Sequence, residues 1–323
     1  MADVPDLIVR RDGHVARFHG SWYRGPHTNF IPSKAELRAP DAVDRYILHG
    51  WMPDAPFITK SSRITAFGSC FAQHLTNYLH GAGYNVLGKH LNLSSHIIHF
   101  GEGMVNSFAI RQQFEWALED KEFSENLWFG EHKEIALVDP RIKAETKEII
   151  GTTDIFVITL GLSEIWYDKR SGEAFWRAVP GPLFDPERHG FRVSSCEENH
   201  ANLVRIRDLI RTARPQAKVI FTLSPVPLMA TFRPVSCLTA SSVSKAILRV
   251  AIDQLMRESP DDRSLFYFPS YEMVKELFVD PYEEDNRHPT PAVVEFIMKT
   301  FERHFCVPGA EQTGPTVSEG KTA

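Results

Sequence analysis

The chain has 323 residues, 43% of them hydrophobic and 24% charged, with a formal net charge of −5. That length can bury a large core as one big domain or two smaller ones. The acidic balance and the lack of a Lys/Arg stripe give no footprint for nucleic acid, and no apolar run is long enough to span a bilayer. Residues 1–17 carry Asp3, Asp6 and two early arginines but no apolar signal core, so secretion by that route is not expected. The four cysteines, Cys70, Cys196, Cys237 and Cys306, are far apart and lack C-x-x-C pairing, which argues against a disulfide framework or a thiolate zinc site. A reduced, cytoplasmic setting is the expectation, and in it a thiol at position 70 stays free to react.

Residues 1–60 are rich in Pro, Gly, Trp and His and show no clear periodicity before a short helix at Asp41–His49. They read as an N-terminal extension packed on the main body. From Arg63 the pattern alternates strand and helix, the signature of a parallel sheet covered on both faces. Ile64–Phe67 is a short buried strand, Gly68-Ser69 a sharp turn, and Phe71, Ala72, Leu75, Leu79 and Ala82 recur at helical spacing. Tyr84–Leu87 is a candidate second strand. A Gly- and His-rich loop with Gly103 and Asn106 then leads into a helix carrying Ile110, Phe114, Ala117 and Leu118.

The strongest strand is Asp154–Leu160, ending in Gly161-Leu162-Ser163-Glu164. A long irregular segment, Ile165–Phe191, follows, with a hairpin-like turn at Arg170-Ser171-Gly172. Ser195 and Glu198 form a capping box at the next helix. Ala217–Leu223 is another buried strand, ending at Ser224, and the following helix carries Val243, Ala246, Ile247, Val250 and Leu255. Leu265–Phe268 is the last strand, with a short helix near Met273–Leu277. The final helix, capped by Thr290 with Pro291 first, buries Val294, Ile297, Phe301 and Phe305. Residues 308–323 read as a disordered tail, leaving a main domain at 61–307 with a long 162–194 insertion.

Ligands of an open parallel sheet bind outside the carboxyl ends of its strands. Ser69/Cys70, Gly103/Asn106, Ser163/Glu164, Ser224 and the Asp285–His288 loop all fall there. Polar loops are common, but five clusters on one edge point to a site. The Asp285-x-x-His288 spacing suits an acid that orients an imidazole, leaving the second ring nitrogen as a base.

These blocks carry a resemblance. Phe67-Gly68-Ser69-Cys70-Phe71-Ala72 matches the signature that names the GSCFA family. Thr159–Trp166, Ser224–Phe232, Tyr267–Glu272 and Glu284–Pro289 resemble further blocks of that family in order. The family is similar to the SGNH (GDSL-like) hydrolases. That implies an α/β fold, a three-layer α/β/α arrangement with a mostly parallel, about five-stranded, flavodoxin-like sheet, and acyl-ester chemistry. On the Gly-Asp-Ser pattern of those enzymes, Gly68 matches the Gly, Ser69 the Asp position and Cys70 the nucleophile; Asp285 and His288 match the D-x-x-H block. The G-x-N-D block is replaced by Gly161-Leu162-Ser163-Glu164, so the usual oxyanion Asn is missing.

The resulting expectation is attack by Cys70 on an acyl carbon, with His288 as base and Asp285 orienting it. The Cys70 thiolate is expected to be favoured by the local N–H groups and a nearby imidazole. The Cys70 N–H, a Gly103 N–H and the Asn106 amide would hold the oxyanion, with Gly161, Ser163, Glu164 and Ser224 around the substrate. The bland reading of Cys70 is a small residue filling a tight turn. Ser69 is the alternative nucleophile, or simply a helix cap. His74, one turn after Cys70, competes with His288 as its partner. His96, His99 and Glu102 have metal-compatible spacing but more simply line a loop. Trp166, Tyr167, Phe175 and Trp176 either stack on a sugar or pack the long loop.

No cofactor is implied beyond an acyl thioester donor, and no metal. Two classes of function follow. One is an esterase or acyltransferase acting on a small molecule or carbohydrate, of the kind used in bacterial polysaccharide modification. The other is a binding or scaffolding module in which the altered third block marks lost catalysis.

Overall fold

The computed structural model describes residues 7–11, 13–18, 25–89, 95, 98, 104–129, 133–135 and 139–308. The chain forms two compact units, Met1–Gly50 and Trp51–Ala323. The first holds an antiparallel hairpin of β1 (Leu7–Arg11) and β2 (His14–Phe18), with Leu7 opposite Phe18. Gly13 turns it at a φ of 77°, a value a residue with a Cβ reaches only at a cost. Neither strand alternates apolar and polar residues strictly, which is why the hairpin does not stand out in the sequence. The expected helix at Asp41–His49 is a π-helical turn, Val43–Ile47, that buries Val43.

In the second unit, the strands are β3 (Ile64–Gly68), β4 (Trp128–Phe129), β5 (Glu134–Ile135), β6 (Ile155–Leu160), β7 (Glu164–Asp168), β8 (His189–Val193), β9 (Lys218–Leu223) and β10 (Leu265–Phe268). The helices are α1 (Cys70–Gly81), α2 (Ser107–Leu118), α3 (Pro140–Thr152), α4 (Cys196–Ala213), α5 (Cys237–Arg257), α6 (Ser270–Leu277) and α7 (Pro291–Phe305). The central sheet is parallel, in the order β10-β9-β6-β3. The expected second strand, Tyr84–Leu87, contributes only a parallel bridge from Val86 to Ile64. Counting it, the order along the sheet is second, first, third, fourth, fifth, the flavodoxin-like arrangement. The order reverses at β3, and the crevice beside that reversal, outside the β3 and β6 carboxyl ends, is where such sheets bind ligands.

Period-two alternation separates two helical layers. Phe156, Ile158 and Leu160 of β6 and Phe221 of β9 share one core with Phe114 of α2, Leu203 of α4 and Leu248 of α5. On the opposite face, Thr222 bonds Ser270 of α6 at 2.7 Å, and Phe268 meets Phe301 and Phe305 of α7 edge-on. The start of this unit is tied to its end: the Phe57 and Ile58 N–H groups donate to the Phe305 carbonyl, and Val307 N–H donates to Ile58.

Three sequence expectations change. The segment after β6 is not irregular: β7 and β8 pair antiparallel, from Glu164 opposite Val193 to Asp168 opposite His189. Arg188 closes the hairpin by donating to the buried Asp168 at 2.5 Å and to Glu134, while the expected turn at Arg170–Gly172 is present with Gly172 N–H bonded to Asp168 O. Second, α5 packs on a different face from the one its valines mark. Val243, Ala246 and Val250 are exposed, and the buried side is Ser241, Ser244, Lys245, Leu248, Ala251, Ile252 and Leu255. Third, α7 buries Val293 where Val294 was expected, alongside Ile297, Phe301 and Phe305. Among the described residues no helix is long and apolar enough to cross a membrane.

Candidate active site

The turn from β3 into α1 is fixed by Gly68. Its φ is 111°, and a Cβ there would meet the Thr159 carbonyl oxygen of β6 at 2.0 Å. Only glycine allows this approach. Ser69 is then buried as the N-cap of α1, and its Oγ accepts from the Phe71 N–H at 3.2 Å. One lone pair of that hydroxyl is thus occupied by the helix. Cys70, the first helical residue, is only partly buried and carries a free thiol. Its N–H is among the four amide groups that every helix start leaves without an intrahelical partner.

Asp285 and His288 stand in a turn closed by Glu283 N–H donating to His288 O and by a bridge from Tyr282 to Pro289. Asn286 takes a φ of 53° within it, a conformation asparagine tolerates better than most residues. Asp285 Oδ1 accepts the Arg287 and His288 N–H groups at 2.9 Å each, and Oδ2 lies 2.5 Å from His288 Nδ1. The His288 backbone N–H, then its imidazole, holds the Asp285 carboxyl down at about 2. Arg287 Nη1 is 3.3 Å from His288 Nε2. A guanidinium can only donate, so Nε2 accepts and the ring proton sits on Nδ1, bonded to Asp285. That is the tautomer a general base needs.

The His288 turn faces α1. His74, one helical turn beyond Cys70, is held below the ordinary imidazole range by the protein packed round it and, second, by the repulsion it would meet from His288 were both rings protonated. Further along both helices, Tyr78 donates to Glu302 of α7 at 2.6 Å. His74 and Tyr78 of α1 thus lie toward the C-terminal segment that carries His288 and Glu302.

The remaining expected residues divide. Asn106 is buried as the N-cap of α2, its Oδ1 accepting from Ala109 N–H at 2.9 Å, and its neighbour Val105 accepts the Gly161 N–H at 2.7 Å. The second loop is therefore brought against the end of β6, with the Gly161 amide already committed. Ser163 is fully buried: its N–H donates to Ser244 Oγ, and its carbonyl accepts from Ser194. Glu164 is buried and accepts from Thr231 at 2.8 Å, with Arg233 nearby. Ser224 is fully buried, its Oγ accepting from Val226 N–H. These three shape the edge from inside rather than line it. Phe175 and Trp176 are also interior, while Trp166 packs against Phe184, Phe191 and Phe232. Gly103, His96, His99 and Glu102 lie outside the described residues.

Two cations at this edge were not singled out by sequence reading. Lys245 of α5 is 3% exposed, and its Nζ donates to the Gly161 and Ser224 carbonyls at 2.7 and 2.8 Å. Burial, with Arg287 adding repulsion, pushes its amine down to about 7. Ser241 and Ser244, on the same face, hold the Leu228 and Ser163 N–H groups. Polar residues at i, i+3 and i+4 beside Leu248 and Leu255 were the readable signal of this staple. Arg287 lay inside the D-x-x-H block and had no role assigned.

The GSCFA family profile matches residues 63–301. The chain belongs to the GSCFA family. No curated protein matches it. Solved structures similar to it include a carbohydrate esterase family 3 protein from Talaromyces cellulolyticus, at 10% identity, covering 75% of this chain and 95% of that one with a TM-score of 0.39. A GDSL-like lipase from Bacteroides thetaiotaomicron is 11% identical over 75% of this chain and 86% of its own, TM-score 0.39. A salicylyl-acyltransferase from a tetracycline biosynthetic pathway is 12% identical over 76% and 54%, TM-score 0.35.

Proposed function

We propose that this GSCFA protein is an acyl-ester enzyme, a hydrolase or acyltransferase, with Cys70 as nucleophile, His288 as general base and Asp285 orienting the base. The observation that carries the reading is the Asp285–His288 pair, with Nδ1–H on the carboxylate, which leaves Nε2, now in contact with Arg287, as the basic nitrogen. Nε2 takes the proton of Cys70 Sγ as sulfur attacks the acyl carbon. The developing oxyanion is met by the Cys70 N–H, an amide that the helix start leaves without an intrahelical partner. Nε2–H then protonates the leaving oxygen or sulfur, and water or an acceptor hydroxyl, deprotonated by the same nitrogen, releases the acyl group from the thioester. The oxyanion role of Gly103 remains part of the proposal. So does that of the Asn106 amide; the Gly161 N–H is spent on Val105, so Gly161 serves to shape the site.

Cys70 is favoured over Ser69 because the serine is buried and caps α1. Exposure supports a bulky polar acceptor such as a carbohydrate: the Asp285 and His288 side chains are 46% and 42% exposed, so the reacting atoms sit at an open rim. The test is turnover of p-nitrophenyl acetate. The parent protein should show steady release that His288→Ala abolishes. Equal release by both would sink the assignment.

A further inference from the structure

Most partly buried arginines among the described residues pair with a carboxylate. Arg188 has Asp168, Arg192 has Glu198, Arg211 has Asp262 and Arg249 has Glu272. Arg287 is different. Among the described residues it makes no ion pair; its one side-chain contact is with the neutral nitrogen of His288, and its Nε is buried with no acceptor. Asp285, in the same turn, gives both oxygens to His288 and to the backbone. A guanidinium meets a carboxylate with two parallel bonds and an opposite charge, where a ring nitrogen offers one bond and none, so Arg287 rests on its second choice.

Its position matters for chemistry. The nitrogen it covers is the one that must receive the nucleophile's proton, so Arg287 and the thiol compete for His288 Nε2. Lys245, whose amine feels the Arg287 charge, is already bonded to two carbonyls. Among the described residues Arg287 is thus the cation of this edge that still lacks an anion, in contact with the base itself. The turn also holds Glu283, Glu284 and Asp285, all exposed, which disfavours a doubly charged ligand over a singly charged one.

We propose that Arg287 selects acyl substrates bearing a carboxylate close to the reacting carbonyl, and that binding this carboxylate draws the guanidinium off His288 Nε2 and frees the base. The inference rests on the reading of His288 as the base for Cys70. It makes the charge of the substrate set the rate: a neutral ester must compete with Arg287 for the base and turns over slowly, and an anionic one uncaps it.

A pair of alkylating reagents of the same shape tests this without any acyl transfer. Iodoacetate is anionic and iodoacetamide neutral. Each forms an Sγ–carbon bond as the carbon–iodine bond breaks, releasing iodide, with the thiol proton passing to buffer. Alkylation of Cys70 in the full chain is followed at pH 8 by mass spectrometry of its peptide, with free cysteine as reference. The iodoacetate-to-iodoacetamide rate ratio should exceed that of free cysteine by about tenfold, the worth of one charge-assisted hydrogen bond. In Arg287→Gln the ratio should fall to within about twofold of free cysteine, and Arg287→Lys should keep part of it, charge without the fork. A misfolded variant would be recognised by both rates rising together at Cys70 and Cys306, the latter buried. A parent ratio equal to that of free cysteine, a ratio unmoved by Arg287→Gln, or no reaction at Cys70 with either reagent overturns the proposal. Selective alkylation by a protein that never forms an acyl adduct would defeat the proposed function and the acyl part of this inference, leaving Arg287 as a carboxylate-binding residue beside Cys70.

Discussion

The Lys245 amine bonds the Gly161 carbonyl at 2.7 Å, and through the Ser224 carbonyl it joins the carboxyl ends of β6 and β9 from beneath. A buried cation is costly, and here its proton leaves at about 7 in the folded chain against about 10.4 unfolded. The unfolded state therefore binds more protons between those values, and stability rises with pH across that window. Lys245→Met removes this dependence. Urea unfolding at pH 6, 7.5 and 9 should show the parent gaining stability relative to the variant as pH increases. Parallel pH dependences would rule out a buried, titrating lysine.

Asp285 is held at about 2 by the His288 N–H and imidazole, so it stays ionised at any pH at which the enzyme would work. Its lowered carboxyl contributes stability above the unfolded value of about 3.9, lost as pH falls through 2. The acid limb of the rate profile should accordingly carry no ionisation from Asp285. Asp285→Asn, which presents an amide where Nδ1–H needs an acceptor, should lower kcat by about three orders of magnitude with the fold intact. A loss below tenfold would mean that Asp285 does not set the tautomer.

Gly68→Ala should destabilise the protein by about 3 kcal/mol or more. It places a Cβ at 2.0 Å from the Thr159 carbonyl oxygen and demands a φ of 111° from a residue that avoids it. Thermal unfolding measures this. A change within about 0.5 kcal/mol would refute the close β3–β6 approach at this turn.

Ser69→Ala separates cap from nucleophile. Losing the bond to Phe71 N–H should cost about 1 kcal/mol of stability while p-nitrophenyl acetate turnover persists. Turnover that vanishes in a folded Ser69→Ala protein would transfer the chemistry to the serine.

Much of this was legible in the chain because the signals are local. Apolar runs such as residues 155–160 and 219–223 are buried on both faces and read directly as central strands. The Ser195–Glu198 capping box is made by neighbours and is present as read. Gly68-Ser69 announced a turn whose tightness only the neighbouring strand explains. What stayed hidden depends on partners remote in sequence. Val243 and Val250 made the wrong face of α5 look buried, because the true inner face carries Ser241, Ser244 and Lys245 to serve loops up to 84 residues away. The β7–β8 hairpin looked irregular because Arg188 closes it onto Asp168 and Glu134. Arg287 looked like a spacer inside D-x-x-H until its contact with His288 Nε2 gave it a place.

The central claim is that Cys70 carries an acyl group. The full-length protein is mixed with p-nitrophenyl acetate or a generic thioester, quenched in acid, and its intact mass and Cys70 peptide are measured. A mass increase of one acyl group on Cys70, present in the parent and in Ser69→Ala and missing in Cys70→Ala, is the expected result. An adduct that survives Cys70→Ala, or a folded parent that acquires none with either donor, would contradict it.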